Sequence, residues 1–312
     1  MMNTLLWNLI SAVPGFTYID AFFKDFIKNI LKTGPIPNHI SFVMDGNRRF
    51  AKTWNLPLKE GHRRGADALM NVLQCCIDLG VKNMTVYAFS IENFNRPQPE
   101  IDTIFDLLVS KLAYISEDNE FCDTQKLRIK IIGDRSLIPE RILQDIQRIE
   151  AKTSSHKDHT LFIAFPYTSR DDITHSVRQI VSKVKDGQLK VDQIDENQIE
   201  KNFYYEGEAG KVDILVRTSG HTRLSDYMLW QCHQDSVIEF PNTLWPDYQF
   251  YSTWWTIFKW SYYKTLQLQD AEVMQIKKLS PEEIDRRYQH HPTYQKPITE
   301  FTHPPYASVV KK

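Results

Sequence analysis

The sequence predicts an α/β fold: a single domain with a mostly parallel six-stranded sheet flanked by helices, plus an N-terminal amphipathic helix and a C-terminal tail. Three observations predict it. Six apolar runs of strand length recur along the chain, and helical stripes separate them. The polar clusters fall just after the runs, which is where ligands bind in open parallel sheets. The 312 residues, 42% of them hydrophobic, suffice for one sizeable core.

Residues 1–36 read as a membrane- or partner-associating segment. Ile19, Phe22, Phe23, Phe26, Ile27, Ile30 and Leu31 recur at helical spacing, with Lys24, Asp25, Lys28 and Asn29 opposite them. The pattern stops at Thr33–Gly34–Pro35–Ile36–Pro37. Nowhere does the chain carry the run of about 20 apolar residues that a spanning helix needs. Residues 1–13 lack a basic start and a small-residue cleavage site, so a cleaved signal peptide is not expected.

Residues 37–265 carry the alternation. The strand-like runs are HISFVM (39–44), MTVYAFS (84–90), LRIKIIG (127–133), TLFIAF (160–165), VDILVR (212–217) and SVIEF (236–240). Between them lie helical stripes: Leu69, Val72, Leu73, Cys76 and Ile77, ended by Gly80; Ile101, Ile104, Phe105, Leu108, Leu112 and Ile115; and Ile173, Val177, Ile180, Val181 and Val184, ended by Gly187. Residues 266–312 become charged and then rich in Pro, His and Tyr, which predicts a short helix around Asp270–Lys278 and a poorly ordered tail.

Composition excludes several classes of function. The net charge of −1 argues against a nucleic-acid binder, so basic clusters are read as local sites. The four cysteines have no CxxC spacing, which leaves reduced thiols rather than a disulfide framework or a zinc site. No Walker sequence, GxGxxG or nucleophile elbow occurs.

What remains is a carboxylate among arginines. VMDGNRRFAK (43–52) places Asp45 at a strand end with Arg48 and Arg49 behind it, an arrangement suited to a ligand carrying phosphates and a divalent metal. A strand-to-helix turn with solvated charges is the plain alternative. Arg96 closes SIENFNR, Arg217 closes a strand, and Arg223 follows with Ser225 close behind. A lone arginine is usually a surface residue. Five of them after strand-like runs, Arg48 and Arg49 included, could grip two diphosphates.

The stretches HISFVMDGNRRFAK, KEGHRRGA, TVYAFSIENFNRP, LRIKIIGD, FPYTSRDDI, DILVRTSGHTRLSDYMLWQ and LWPDY resemble, in this order, the signature segments of the cis-prenyltransferases (undecaprenyl diphosphate synthase family). The resemblance covers about residues 37–265, and SIENFNRP and RTSGHTRLSD look like the eukaryotic, fungal branch that makes dehydrodolichyl diphosphate. It implies an enzyme that elongates farnesyl diphosphate with successive isopentenyl diphosphate units, using Mg²⁺, for dolichol synthesis and protein glycosylation. The alternative within the family is a non-catalytic scaffold subunit, which would lack the aspartate and several arginines. Asp45, Asn93, Arg96, Arg217 and Arg223 are all present.

The resemblance also implies roles for individual positions. Asp45 matches the metal-linked catalytic aspartate, and Gly46, Asn47, Arg48 and Arg49 match the grip on the allylic diphosphate. His62 matches a phosphate-contacting histidine, although a lone histidine is more often structural. Ser90, Glu92 and Asn93 match the segment that positions isopentenyl diphosphate and takes part in proton removal. An amide such as Asn93 is a poor base, so it is read as orienting a proton path. Arg96, Arg217, Arg223 and Ser225 match the isopentenyl diphosphate headgroup site, and Phe50 and Phe94 match aromatics beside the substrate that would otherwise be read as core.

The sequence departs from the family pattern twice. The chain ends THPPYASVVKK, without the Arg-x-Gly motif of single-subunit members, and Glu239 lies out of register with the bacterial metal-ligating glutamate. The first departure implies a membrane-bound, non-catalytic partner subunit of the same fold. Peripheral contact with the cytosolic face of the endoplasmic reticulum, or with a lipid droplet, is the corresponding expectation.

Overall fold

A computed structural model of the chain describes residues 16–118 and 121–276. All six expected strands are present: β1 (His39–Val43), β2 (Asn83–Tyr87), β3 (Leu127–Ile132), β4 (His159–Ala164), β5 (Ile214–Arg217) and β6 (Val237–Glu239). The ends of each lie within three residues of the run that predicted it. They form one sheet in the order β3-β4-β2-β1-β5-β6, and every pairing is parallel.

Parallel neighbours need crossover connections, and helices supply them on both faces. The three periodic stripes become Leu58–Leu79, Gln98–Ala113 and Ser169–Lys185, and Gly80 closes the first in a left-handed conformation at φ 91°. One apolar layer packs Phe42, Val72, Leu73, Met84, Ile129 and Ile146 under the Leu58–Leu79, Gln98–Ala113 and Glu140–Thr153 helices. The other packs Val43, Phe162, Ala164, Tyr167 and Tyr227 on the opposite face. All four cysteines are free and buried.

Strand order fixes the place of the site. From β1 the chain moves to β2 on one side, and after β4 it returns to β5 on the other. The connections thus diverge at β1 and β5, and the crevice beyond their carboxyl ends is where ligands bind. Register makes the convergence concrete: Val43 pairs with both Tyr87 and Arg217, so the residues after three adjacent strands emerge at one level.

The helix Phe16–Leu31 buries only part of its apolar stripe. Ile27 and Leu31 are buried, whereas Phe22, Phe23, Phe26 and Ile30 are exposed. Lys28 ties it to the Leu58–Leu79 helix through Asp78 at 2.8 Å, and Trp254 Nε1 donates to the Ile27 carbonyl at 3.3 Å.

Two differences from the expected pattern have physical reasons. The Glu140–Thr153 helix was not assigned, although Ile142, Ile146 and Ile149 give it a helical period and the parallel β3–β4 pairing demands a crossover. At the C-terminus a helix was expected around Asp270–Lys278, but one helix runs from Phe250 to Ile276 and crosses the position 265 boundary. Its first turns are aromatic on several sides, which hides the period. The expected tail after Lys278, and the reading of residues 1–13, lie outside the described residues. The described chain divides into two compact units between Ser261 and Tyr262, and in the second Tyr262, Tyr263, Leu266 and Leu268 are exposed.

Gly133, just after β3, holds a turn that no other residue fits. Its φ is 132°, and a Cβ there would stand 1.9 Å from the Pro166 carbonyl oxygen. Gly133→Ala is expected to cost about 3 kcal/mol through overpacking and backbone strain. Urea denaturation measures this, and an unchanged midpoint would refute the constraint.

Candidate active site at the carboxyl ends of the central strands

A cavity of about 780 Å³ opens beyond β1, β2 and β5. Its lining includes six cations (Arg48, Arg49, Lys52, Arg96, Arg217 and Arg223) and two carboxylates (Asp45 and Glu92), so it is a basic well in a chain of nearly neutral net charge. Met44, Ala88, Phe89 and Ile104 supply an apolar wall.

Asp45 sits at the centre of a polar knot joining β1 to β5. Thr218 Oγ1 accepts from the Asp45 main-chain N–H at 3.1 Å and donates to the Asp45 carbonyl at 2.7 Å, and the Trp245 N–H donates to the same carbonyl. The carboxylate accepts from Arg217 Nη2 at 2.8 Å, and Arg49 Nη2 stands 3.8 Å from its other oxygen. Burial pulls the Asp45 carboxyl upward, but the hydrogen bond and charge of Arg217, aided by Arg49, outweigh it and hold the group below its ordinary value.

Arg217 is 4% exposed and fully engaged on one side. Its Nη1 donates to the Arg223 carbonyl and to Ser225 Oγ, both at 2.6 Å. The loop it fastens is strained: Ser219, Ser225, Asp226 and Met228 have φ of 80°, 52°, 55° and 50°. Each left-handed residue costs about 1 kcal/mol, so the loop keeps this shape only because contacts over-determine it. Arg217 Nε is buried without a partner.

Gly46 permits the turn out of β1. Its φ is 117°, and it precedes the short helix Asn47–Thr53, which carries Asn47, Arg48, Arg49, Phe50 and Lys52. Arg49 Nη1 donates to the Ser219 carbonyl at 3.1 Å, whereas the guanidinium groups of Arg48 and Arg223 have no hydrogen bond or ion pair among the described residues. Asn47 Oδ1 is buried without a partner, against Gly65, where a Cβ would approach it to 2.3 Å.

The third side comes from the turn Ile91–Asn95 after β2. Ser90 caps it by accepting from the Glu92 N–H at 3.2 Å, and Asn93 Oδ1 accepts from the Ser90 N–H at 3.1 Å. Asn93 thus spends its oxygen on the turn and keeps its amide N–H groups for the cavity. Arg96 Nη1 bonds Glu100 at 3.0 Å. His62 Nε2 is buried without a hydrogen bond, 4.0 Å from the same carboxylate. Burial pushes the His62 imidazole below its usual value, with Glu100 opposing and Arg96 and Arg48 reinforcing, which favours the neutral ring.

Asp45, Gly46, Asn47, Arg48, Arg49, His62, Ser90, Glu92, Asn93, Arg96, Arg217, Arg223 and Ser225 therefore line one cavity. Phe50 and Phe94 do not. Phe50 is buried against Trp54, and Phe94 packs edge-on to Phe89 at the end of β2. Sequence reasoning missed Lys52, Tyr87 and His221 as lining residues. All three lie within the quoted motifs, and the register of β2 on β1 brings Tyr87 level with Val43. Glu239 pairs with Lys259 and stands outside the lining, in keeping with its altered register.

A metal held by protein groups alone does not fit, because among the described residues no three His, Cys, Asp or Glu side chains cluster as a ligand set. The Asp45 carboxylate in a basic well does fit Mg²⁺, which commonly takes one or two carboxylates with substrate phosphates and water.

A sequence model of the prenyltransferase family, described as "Putative undecaprenyl diphosphate synthase", matches residues 43–266. The chain is 40% identical over 263 residues to a dehydrodolichyl diphosphate synthase complex subunit of Saccharomyces cerevisiae, covering 84% of this chain and 76% of that protein. It is 38% identical to the corresponding subunit of Homo sapiens, covering 75% and 68%. The structure resembles that of lavandulyl diphosphate synthase from Lavandula x intermedia in complex with dimethylallyl diphosphate, with a TM-score of 0.69, 29% identity, and coverage of 72% of this chain and 95% of that one.

Proposed function

The chain belongs to the undecaprenyl diphosphate synthase family of prenyltransferases and is a transferase of prenyl groups, and from that premise we propose that it extends farnesyl diphosphate with isopentenyl diphosphate to a long-chain dehydrodolichyl diphosphate. The observation that carries the reading is one basic cavity gathering Asp45 and six cations from the ends of three adjacent strands. Two diphosphates side by side need that charge. The two relatives named as synthase complex subunits support the dehydrodolichyl branch over other prenyl synthases.

The residues divide the work. Arg48, Arg49 and the turn at Gly46 hold the allylic diphosphate, with His62 as a neutral donor beneath it. Arg223 and Arg96 hold the isopentenyl diphosphate, while Arg217 fixes Ser225 and keeps Asp45 ionised. Mg²⁺, when bound, neutralises charge on the departing diphosphate. Asp45 presents the carboxylate for it, next to arginines that stabilise the same developing charge. Met44, Ala88, Phe89 and Ile104 give the prenyl chain an apolar wall away from water. Asn93, its oxygen committed to Ser90, orients the isopentenyl group or a water rather than taking the proton itself.

A partner subunit and a membrane complete the proposal. The yeast and human relatives are named as complex subunits. Phe22, Phe23, Phe26 and Ile30 form an outward apolar face, which suits peripheral contact with the endoplasmic reticulum or a lipid droplet. No helix among the described residues is long and apolar enough to cross a membrane. The test is isopentenyl incorporation into lipid-extractable product with Mg²⁺, with and without a partner subunit and lipid vesicles, for the full chain and a chain lacking residues 1–33. Incorporation that needs the partner, and vesicle binding that needs residues 1–33, are expected. Full activity of the chain by itself would contradict the heteromer, and unchanged vesicle binding would contradict the anchor.

A further inference from the structure

Arg170 lies outside the cavity lining, in the first turn of the Ser169–Lys185 helix, yet it touches two of the loops that build the cavity. Its Nε donates to Asp226 Oδ2 at 2.7 Å and its main-chain N–H donates to Asp226 Oδ1 at 3.1 Å. Its Nη2 reaches Glu92 Oε1 at 3.2 Å. Asp226 belongs to the strained loop that follows Arg223 and Ser225, and Glu92 belongs to the turn that carries Asn93 and Arg96.

The two arms differ in strength. Asp226 is 11% exposed in its side chain, and its carbonyl also accepts from the Ser169 N–H at 2.7 Å. Leu229 N donates to Ser169 Oγ at 2.7 Å, so the start of the helix grips the loop on both sides of Tyr227. Glu92 is 63% exposed in its side chain, and among the described residues its carboxylate makes one contact, a weak and reversible pair. One arm is an anchor and the other a latch.

We propose that Arg170 is a positioning residue for the isopentenyl diphosphate half of the site: anchored on Asp226, it latches Glu92 and so holds the Asn93–Arg96 turn facing Arg223 and Ser225. Arg170 itself does not touch substrate. Glu92 acts through the latch rather than by contacting the diphosphate, which its negative charge would repel. The inference rests on the proposed assignment of this half to isopentenyl diphosphate.

Steady-state kinetics of the full chain, with its partner subunit where turnover requires it, test this at saturating allylic starter. Arg170→Ala is expected to raise the KM for isopentenyl diphosphate about tenfold while kcat and the starter KM stay within about threefold. Glu92→Gln is expected to raise that KM about threefold by itself and to add less than about 1.5-fold in the Arg170→Ala background. Arg170→Lys, with charge but no fork, should fall between wild type and Arg170→Ala. Thermal unfolding of each variant checks the fold. Equal effects of Glu92→Gln in both backgrounds would overturn the latch. So would unchanged KM values for both substrates in Arg170→Ala, or a parallel rise in both. Failure of the underlying assignment is distinct, because Arg170→Ala would then raise the starter KM and leave the isopentenyl KM unchanged.

Discussion

Asp45→Asn is expected to lower kcat about a thousandfold or more while leaving the chain folded, because the several kcal/mol that an ionised ligand contributes at a departing diphosphate are lost with its charge. The substitution is nearly isosteric. The amide oxygen can still accept from Arg217, and Thr218 and Trp245 still hold the backbone of position 45. The stability cost is therefore about 1–3 kcal/mol, the loss of a charged hydrogen bond in a partly buried pair. Asp45→Ala removes the acceptor as well and should be equally inactive but less stable. The pH dependence has a definite sign. The folded carboxyl is held below its ordinary value, so its stabilisation is complete above that value and is lost as pH falls through the folded one. The Asn variant should lack that part of the acid sensitivity. Denaturation curves at pH 7 and at pH 3–4, beside single-turnover kinetics, read both effects. A variant that keeps activity within about tenfold of wild type would remove Asp45 from the proposed chemistry.

Arg217→Ala is expected to be the most destabilising change in the site, by about 3–5 kcal/mol, because it leaves a half-buried carboxylate unpaired. It also frees the loop that Arg217 ties at Arg223 and Ser225, where three residues in four have positive φ between 225 and 228. Affinity for isopentenyl diphosphate should fall about a hundredfold or more as Arg223 and Ser225 lose their placement. Arg217→Lys separates the two contributions. An ammonium can satisfy Asp45 but cannot fork to Ser225 and the Arg223 carbonyl as well. Stability should recover by at least half while the KM for isopentenyl diphosphate stays raised. Urea denaturation with substrate titration distinguishes these outcomes. A lysine variant that restores both would show that Arg217 acts by charge alone.

The sheet was legible because buried parallel strands are rich in consecutive apolar residues, as LFIA in β4 shows. Strand order was not, since it depends on which runs pair, and this pairing sets Val43 between Tyr87 and Arg217. The Glu140–Thr153 helix was missed despite a clear apolar period, and the Phe250–Ile276 helix because aromatics surround its first turns. In the site, residue types and motif order point to Asp45, Asn93, Arg96 and Arg223 as one group. Their engagements were invisible. That Arg217 binds Asp45, 172 positions away, and that Asn93 caps its own turn follow from backbone geometry alone. Phe50 and Phe94 show the converse: aromatics next to motif residues pack on Trp54 and Phe89 and stand outside the cavity lining.

The most direct test of the central claim is the stereochemistry of the product. The full chain, with its partner subunit, farnesyl diphosphate, isopentenyl diphosphate and Mg²⁺, should yield a polyprenyl diphosphate in which every newly formed double bond is cis by NMR, and Asp45→Asn should yield none. Newly formed trans double bonds, or no chain extension in the complete mixture, would contradict the account.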